Sequence, residues 1–221
     1  MIPRLLQRVR ESVERANGYD VEYSIERYKN ELQSIHEKQH SFKLYSDSDL
    51  KSFSNYLKQR VKAGSKLDLL LCEAFALVRE SVSRVLQQNA YDEQIIGGLA
   101  MYYGRIAEMQ TGEGKTLAAL FPAYLHAIAG KGVHVLTFND YLVRRDAMWM
   151  GPVYAFLGLS TGFVQEEMGS EERKRAYAAD ISYEQQKSPD LIICGIHFAC
   201  LSTTRFTDHL VQPLLTRLIP Y

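Results

Sequence analysis

A glycine-rich loop followed by Lys-Thr constrains this 221-residue chain more than any other feature. The segment reads Met109-Gln110-Thr111-Gly112-Glu113-Gly114-Lys115-Thr116. It matches the P-loop pattern, with Met where the commonest version has its first Gly, a departure tolerated in helicase-like ATPases. A P-loop requires a strand before it and a helix after it. We predict a strand at Ile106–Met109 and a helix at Gly114–Ala129, in which Pro122 introduces a kink.

The residue types of this loop suit a triphosphate. Gly112 and Gly114 let the backbone curl so that successive N–H groups point at phosphate oxygens, at the positive end of the new helix. Lys115 would neutralise the β- and γ-phosphates, and the Thr116 hydroxyl would bind Mg²⁺. The alternative is a glycine-rich turn before a helix with no ligand, which the Lys-Thr pair in register disfavours.

Composition excludes several classes of protein. Lys and Arg total 26 and Asp and Glu total 26, so no basic excess favours nucleic acid. A hydrophobic content of 46% indicates a folded chain. Three cysteines form no disulfide framework and suit a reducing cytosol. The longest apolar run, residues 191–201, is too short to span a bilayer, and the arginines near the N-terminus are unlike a secretory signal. We therefore expect a cytoplasmic protein.

Residues 1–88 are predicted to form a helical N-terminal region. Residues 2–16 have apolar side chains at helical spacing and four arginines, which indicates either a surface helix docked on the domain or a helix that binds acidic lipid or a partner. Ser46 is a plausible cap for a helix running to Ala63. A further helix is predicted at Leu67–Leu86, with one apolar face.

Residues 89–183 alternate between strand and helix patterns, which predicts a parallel sheet flanked by helices. Beyond the P-loop strand, we predict strands at Val133–Phe138, Thr161–Val164 and Asp180–Tyr183. We predict helices at Tyr141–Leu157 and Ser170–Ala178. The expected fold is therefore an α/β P-loop NTPase of the RecA or helicase-like type with an N-terminal helical extension.

Longer strings carry a family resemblance. They are Tyr91-Asp92-Glu93-Gln94-Ile95-Ile96-Gly97-Gly98, the segment 130–146 around Asn139-Asp140-Tyr141-Leu142, and Ala176-Tyr177-Ala178-Ala179-Asp180-Ile181-Ser182-Tyr183. Together with the P-loop they resemble the start of SecA, the ATPase motor that drives unfolded preproteins through the bacterial Sec channel. The resemblance covers residues 47–183 and implies ATP and Mg²⁺ as ligands. It also implies the Sec channel and preproteins as partners, and peripheral association with the cytoplasmic membrane through the N-terminal helix.

The resemblance also implies residue roles. Gln94 matches a glutamine that reads adenine, because its amide can both donate to and accept from the base edge. Tyr91 matches an aromatic position beside the base, and residues 109–116 match the phosphate and Mg²⁺ loop. Arg144, Arg145 and Asp146 lie in a motif on the polypeptide-facing side of the motor domain. We assign them no catalytic role, and a solvated helix start with Asp146 as local partner is an equal interpretation.

The sequence departs from the family after Tyr183. ATP hydrolysis needs one carboxylate for Mg²⁺ and another for the attacking water, which an apolar strand ending in Asp-Glu would supply. We find no such strand after the P-loop, since Glu166-Glu167 begins a polar segment and Asp190 precedes an apolar run. An arginine finger, which the family's second nucleotide-binding half would supply, is not found in these residues either. We therefore identify no catalytic residue and expect ATP binding with little or no hydrolysis by this chain alone.

The segment 184–221 is ambiguous. Leu191–Ile196 could be a buried parallel strand and Asp208–Leu218 a helix, or the whole segment could be a rearranged end that need not fold. Cys194, His197, Cys200 and His209 could in principle bind zinc, but their spacing fits no common zinc module, so reduced structural cysteines are the better interpretation.

Three functions are compatible with these patterns. The leading one is the N-terminal part of a SecA-type translocation ATPase. The second is a non-catalytic remnant or binding module that docks on Sec components or forms a homodimer with another copy. The third is a fragment of a nucleic-acid helicase with the same motor fold, which the balanced charge disfavours.

Overall fold

The computed structural model describes residues 25–185 and 201–202. Their helices are α1 (Lys29–Phe42), α2 (Asp47–Lys62), α3 (Leu71–Leu86), α4 (Asp92–Tyr102), α5 (Lys115–Ala127), α6 (Asp140–Phe156) and α7 (Ser170–Tyr177). Their strands are β1 (Val133–Thr137), β2 (Thr161–Val164), β3 (Ile181–Gln185) and β4 (Leu201–Ser202). The predicted N-terminal helix, the tail strand and helix, and the zinc alternative lie outside the described residues.

Residues 30–203 form one compact unit, and residues 25–29 belong to a second. Of the second unit the structure describes residues 25–29, which contain a 3-10 turn at Glu26–Tyr28. The elements below all belong to the first unit. The boundaries that we predict at residues 88 and 183 stay predictions.

Local signals set where α2 and α3 begin. The Ser46 hydroxyl accepts a hydrogen bond from Asp49 N at 3.2 Å, and the Asp49 carboxylate accepts one from Ser46 N at 2.9 Å, so the predicted cap is a complete capping box. The helix predicted from Leu67 instead begins as a 3-10 turn at Leu67–Leu69, and α3 follows from Leu71. Leu69 stays exposed in that turn, whereas Leu70 and Leu71 are buried. This difference in burial separates the turn from the helix.

The sheet has the order β2-β3-β1-β4. β1 and β3 pair in parallel with Val133 opposite Ile181, and β2 and β3 pair in parallel with Thr161 opposite Ile181. Three predicted strands and the helices between them are thus confirmed to within a residue or two at each end. The short β4 pairs antiparallel to β1, and we did not predict it. The mixed α/β class with a parallel sheet flanked by helices is confirmed.

The strand predicted before the P-loop is wrong. Residues 105–110 have no regular structure, and the backbone reaches α5 as an irregular segment. A strand exists only when a neighbouring strand completes its hydrogen-bond ladder. Among the described residues, the place beside β1 is taken on one side by β3 and on the other by β4. Half of the side chain of Ile106 is accordingly exposed, as expected for a segment outside the sheet core.

The core lies between the sheet and the helices that carry the site. Tyr124 of α5 is fully buried, and its hydroxyl lies 2.8 Å from that of Ser54 on α2. Ser54 also donates to the Leu157 carbonyl at 2.7 Å. The rings of Phe75 on α3 and Phe121 on α5 pack with centroids 5.3 Å apart. These contacts hold the helix that follows the P-loop, and with it the loop itself.

A pair of titratable residues joins β1 to β3. His134 Nδ1 lies 3.0 Å from Glu184 Oε1, and the Tyr177 hydroxyl donates to Glu184 at 2.8 Å. The contact with Glu184 raises the pKa of His134 despite its partial burial. Burial acts to raise the pKa of Glu184, but the contacts with His134 and Tyr177 outweigh it and the pKa is lowered.

This pair predicts a pH-dependent stability. The raised pKa of His134 contributes stability in full below about pH 6.5, and this is lost as the pH rises through the folded-state pKa. The lowered pKa of Glu184 contributes above about pH 4.5 and is lost as the pH falls through its folded-state value. Glu184→Gln should therefore lower the free energy of unfolding most, by about 0.5–1 kcal/mol, between pH 4.5 and pH 6.5. Urea unfolding at pH 5.5 and pH 9 measures it, and an equal cost at both values would contradict the pairing.

Candidate nucleotide-binding site

The glycine-rich loop curls immediately before α5. Gly112 and Gly114 have φ angles of +94° and +83°, in the left-handed region that residues with side chains avoid. Gly114 is the N-cap of α5 and has no side chain with which to cap it. The first N–H groups of a helix have no intrahelical partner, and they lie at the positive end of the helix dipole. This end of α5 is therefore suited to an anion, as the sequence predicts.

Hydrogen bonds within the loop maintain its curl. Gln110 N donates to Glu113 Oε2 at 2.5 Å, and Glu113 N donates to the Gln110 carbonyl at 3.2 Å. Lys115 Nζ donates to the same carbonyl at 2.8 Å. An ammonium group has three hydrogens, so the bond to Gln110 leaves two that can be donated to phosphate oxygens. Lys115 is thus held beside the loop and keeps part of its donor capacity.

Helix α4 places Gln94 directly on the loop. The Gln94 side chain accepts from Tyr91 N through Oε1 at 3.0 Å and donates through Nε2 to the Glu113 carbonyl at 3.0 Å. A Cβ atom on Gly114 would lie 2.3 Å from that Nε2. Gly114 is therefore required both by its φ angle and by the close approach of Gln94. Tyr91 lies at the start of α4 with 69% of its surface exposed, and its place beside a base stays a prediction.

The structure explains the unusual first residue of the loop. The Met109 side chain packs against Gly97 of α4, where an added Cβ would lie 2.9 Å from the Met109 sulfur. Gly97 thus leaves room for a long, adaptable side chain at the position that is commonly glycine. Thr111, one of the residues assigned to the site, is exposed in the loop.

Sequence reasoning missed one residue at this site. Asp146 of α6 has 5% of its surface exposed, and its Oδ2 accepts a hydrogen bond from Thr116 Oγ1 at 3.4 Å. Its other oxygen accepts from Arg145 Nε at 2.8 Å, so Asp146 is the local partner of that arginine, although Asp146 itself is buried and not solvated. The signal in the sequence was an acidic residue in the buried stripe of α6, with Leu142, Val143 and Ala147. Its partner Thr116 is 30 residues away and could not be identified from spacing.

The residues present fit a nucleotide with Mg²⁺. The positive φ angles of Gly112 and Gly114 curl the loop, a side chain at Gly114 would collide with Gln94, and the start of α5 supplies donors for phosphate. The Thr116 hydroxyl and the Asp146 carboxylate are oxygen donors of the kind that Mg²⁺ prefers. Among the described residues, no group of three His, Cys, Asp or Glu side chains could hold a metal ion. Mg²⁺ would therefore have to share the phosphate oxygens of the nucleotide, as it commonly does.

Acidic residues elsewhere do not form a catalytic pair in the described part of the chain. None of β1 to β4 ends in adjacent Asp and Glu. Glu166 and Glu167 are exposed after β2, as predicted, and Glu184 of β3 is engaged by His134 and Tyr177. In residues 25–185 and 201–202 no helix has the length and apolar character needed to cross a membrane.

Comparisons with known proteins place the chain in a family. Residues 13–189 match the SecA DEAD-like domain family. The chain is 58% identical over 138 residues to the protein translocase subunit SecA of Rubrobacter xylanophilus, which covers 62% of this chain and 15% of that protein. It is 52% identical over 159 residues to SecA of Nitrosomonas europaea, covering 72% and 18% respectively.

A third relative extends the match. SecA of Desulforapulum autotrophicum is 49% identical over 169 residues, which cover 76% of this chain and 20% of that protein. The chain therefore matches about a fifth or less of the length of these relatives. Because the family match covers more than half of the chain, and because the P-loop lies at the start of a helix beside a parallel sheet, this chain belongs to the SecA DEAD-like domain family.

Proposed function

We propose that this chain binds ATP with Mg²⁺ as part of a SecA-type motor that couples ATP hydrolysis to preprotein translocation through the Sec channel. One observation carries the proposal. The Gln94 Nε2 bond to the Glu113 carbonyl, at 3.0 Å, joins the predicted adenine-reading residue to the predicted phosphate loop. Two motifs 19 residues apart thus meet at one end of α5, as a single mononucleotide site requires.

Gln94 keeps the bonding capacity that adenine needs. A glutamine amide has two acceptor positions on oxygen and two hydrogens on nitrogen. Tyr91 N occupies one acceptor position and the Glu113 carbonyl takes one hydrogen. One acceptor and one donor remain, and the adenine edge offers the complementary N6 donor and N7 acceptor. Guanine presents an acceptor in place of the N6 donor, so the remaining pair favours ATP over GTP.

This role predicts the effect of Gln94→Ala. We expect ATP affinity to fall about tenfold and the preference for ATP over GTP to decrease, because a bidentate base contact contributes roughly 1–3 kcal/mol of discrimination. Competition between fluorescent ATP and GTP analogues measures both values. The control is Gln59→Ala on α2, which removes an exposed helical glutamine that lies outside α4 and the 109–116 loop. An ATP/GTP ratio equal to that of the unaltered chain would contradict adenine reading.

We expect binding without significant turnover by this chain. The described strands supply no adjacent Asp-Glu pair for Mg²⁺ and water, and hydrolysis requires such groups. ATP titration by calorimetry with Mg²⁺, together with a phosphate-release assay, tests both halves of the proposal. Absence of binding would refute the nucleotide site. Turnover abolished by Lys115→Ala would refute the expectation of weak hydrolysis.

The partners of the proposed motor follow from the relatives, which are protein translocase subunits. We propose the Sec channel and preproteins as partners and expect no nucleic acid, because the chain has no basic excess. The cationic segment 2–16 would bind acidic phospholipid and associate the protein with the cytoplasmic face of the membrane. A non-catalytic module that docks on Sec components or on a second copy is the alternative, which the lack of an Asp-Glu strand end in residues 25–185 and 201–202 supports.

A further inference from the structure

Asp146 occupies an unusual position for a carboxylate. It is almost fully buried on α6, yet it lies at the N-terminal end of α5, where the proposed phosphates would bind. Burying a charge is costly unless it is paired. Arg145 pairs with one carboxylate oxygen, at 2.6 and 2.8 Å from its two nearest nitrogens. The second oxygen accepts from the Thr116 hydroxyl at 3.4 Å, which joins α6 to the start of α5.

We propose that Asp146 is a positioning residue for Mg²⁺, acting through Thr116. The inference rests on the proposed nucleotide site. As the acceptor for the Thr116 hydroxyl hydrogen, Asp146 turns the oxygen lone pairs of Thr116 away from itself and toward the phosphate side. This is the orientation in which a hydroxyl can bind a metal ion. Ligands held by a second layer of hydrogen bonds bind metals more tightly than free ones, by about 10- to 100-fold.

Because Asp146 is negatively charged, it should affect nucleotide binding in opposite directions with and without Mg²⁺. A carboxylate near the phosphates attracts Mg²⁺ but repels the nucleotide when no metal is present. Asp146 should therefore strengthen binding of the Mg²⁺–nucleotide complex and weaken binding of the free nucleotide. A purely structural ion pair with Arg145 predicts something different. Its loss would disturb α6 and weaken both kinds of binding in the same proportion.

The test is the ratio of the ADP dissociation constant in EDTA to that in Mg²⁺, measured by calorimetry. ADP is used because no turnover can complicate the titration. In Asp146→Asn, which keeps the size of the side chain, we expect this ratio to fall about tenfold or more. The EDTA value itself should stay the same or improve. An unchanged ratio, or equal weakening under both conditions, would overturn the proposal.

Arg145→Gln keeps the proposal testable if the Asn variant folds poorly. Arg145 is partly exposed, and its removal leaves the Asp146 carboxylate without its neutralising guanidinium. The ratio should then rise, because the full negative charge faces the Mg²⁺ site. A ratio that stays constant or falls would contradict the role of Asp146. Loss of a structural pair alone gives no reason for the ratio to rise.

Asp140→Asn is the matched control. Asp140 lies in the first turn of the same helix, and its carboxylate accepts from Glu166 N at 3.0 Å instead of facing the loop. Its ratio should equal that of the unaltered chain. If the unaltered chain binds ADP in neither condition, the proposed nucleotide site itself fails. If it binds with an ordinary Mg²⁺ dependence that Asp146→Asn leaves intact, only the present inference fails.

Discussion

Replacing Lys115 by Ala is expected to weaken binding of the Mg²⁺–ATP complex on the order of 100-fold or more. The ammonium group is the only cationic side chain in the 109–116 loop, and it is already directed at the loop by its bond to the Gln110 carbonyl. Hydrogen bonds to charged groups contribute about 1.5–3 kcal/mol each, and a contact with two phosphates is lost here. A loss of about 2.7 kcal/mol corresponds to 100-fold in affinity.

Calorimetric titration with ATP and Mg²⁺ measures this loss. Lys131→Ala is the control, since it removes one exposed lysine that does not lie in the loop. Lys115→Arg separates the effect of charge from that of shape, because it retains the positive charge but replaces the compact ammonium by a planar guanidinium. We expect an intermediate affinity for it. Lys115 is not buried, so thermal unfolding of the Ala variant should change little. Binding that persists in Lys115→Ala would refute the P-loop assignment.

Gly114→Ala is expected to have the second-largest effect, on both binding and stability. The φ angle of +83° costs a residue with a side chain about 1–2 kcal/mol. The new Cβ would also lie 2.3 Å from Gln94 Nε2. The Gln94 side chain can move away, but it then loses its bond to the Glu113 carbonyl. We therefore expect ATP binding to fall at least tenfold and the free energy of unfolding by about 2 kcal/mol.

A comparison of glycine variants separates the two causes. Gly132→Ala imposes a φ angle of +74° with open space around the new Cβ and lies outside the loop. It should lower stability by about 1–2 kcal/mol and leave ATP affinity unchanged. The double variant Gly114→Ala with Gln94→Ala removes the clash and keeps the strain. The double variant should therefore lose less free energy of unfolding than the sum of the losses in the two single variants. Strict additivity in denaturant unfolding would show that Gln94 and Gly114 do not interact.

The elements that could be predicted from sequence are those whose signals are local. The capping box at Ser46 depends on residues three positions apart, and the strand Thr161–Val164 depends on β-branched and aromatic side chains that favour extended backbone. The glycines of the P-loop also act locally, since their positive φ angles depend on the lack of a Cβ. Each of these features depends on a few neighbouring residues, so it can be predicted from a short segment of the sequence.

The strand predicted at Ile106–Met109 shows where such reasoning fails. Its residues are apolar enough for a strand, but pairing depends on which segments flank β1, and in the structure these are β3 and β4. The contribution of Asp146 was missed for the same reason. Its buried position in α6 could be inferred from the spacing of Leu142, Val143 and Ala147. Its contact with Thr116 depends on how α6 packs beside α5.

The sequence by itself determined the phosphate loop, the helix that follows it, the three parallel strands with the helices between them, and the residue types of the site. These properties result from backbone sterics and from hydrophobic periodicity, which act over a few residues. Only the tertiary structure decided that Gln94 reaches the Glu113 carbonyl, that His134 faces Glu184, and that Asp146 lies against Thr116. These pairs are distant along the chain, and only the pairing of β1 with β3 and the packing of the helices bring their atoms within hydrogen-bonding distance.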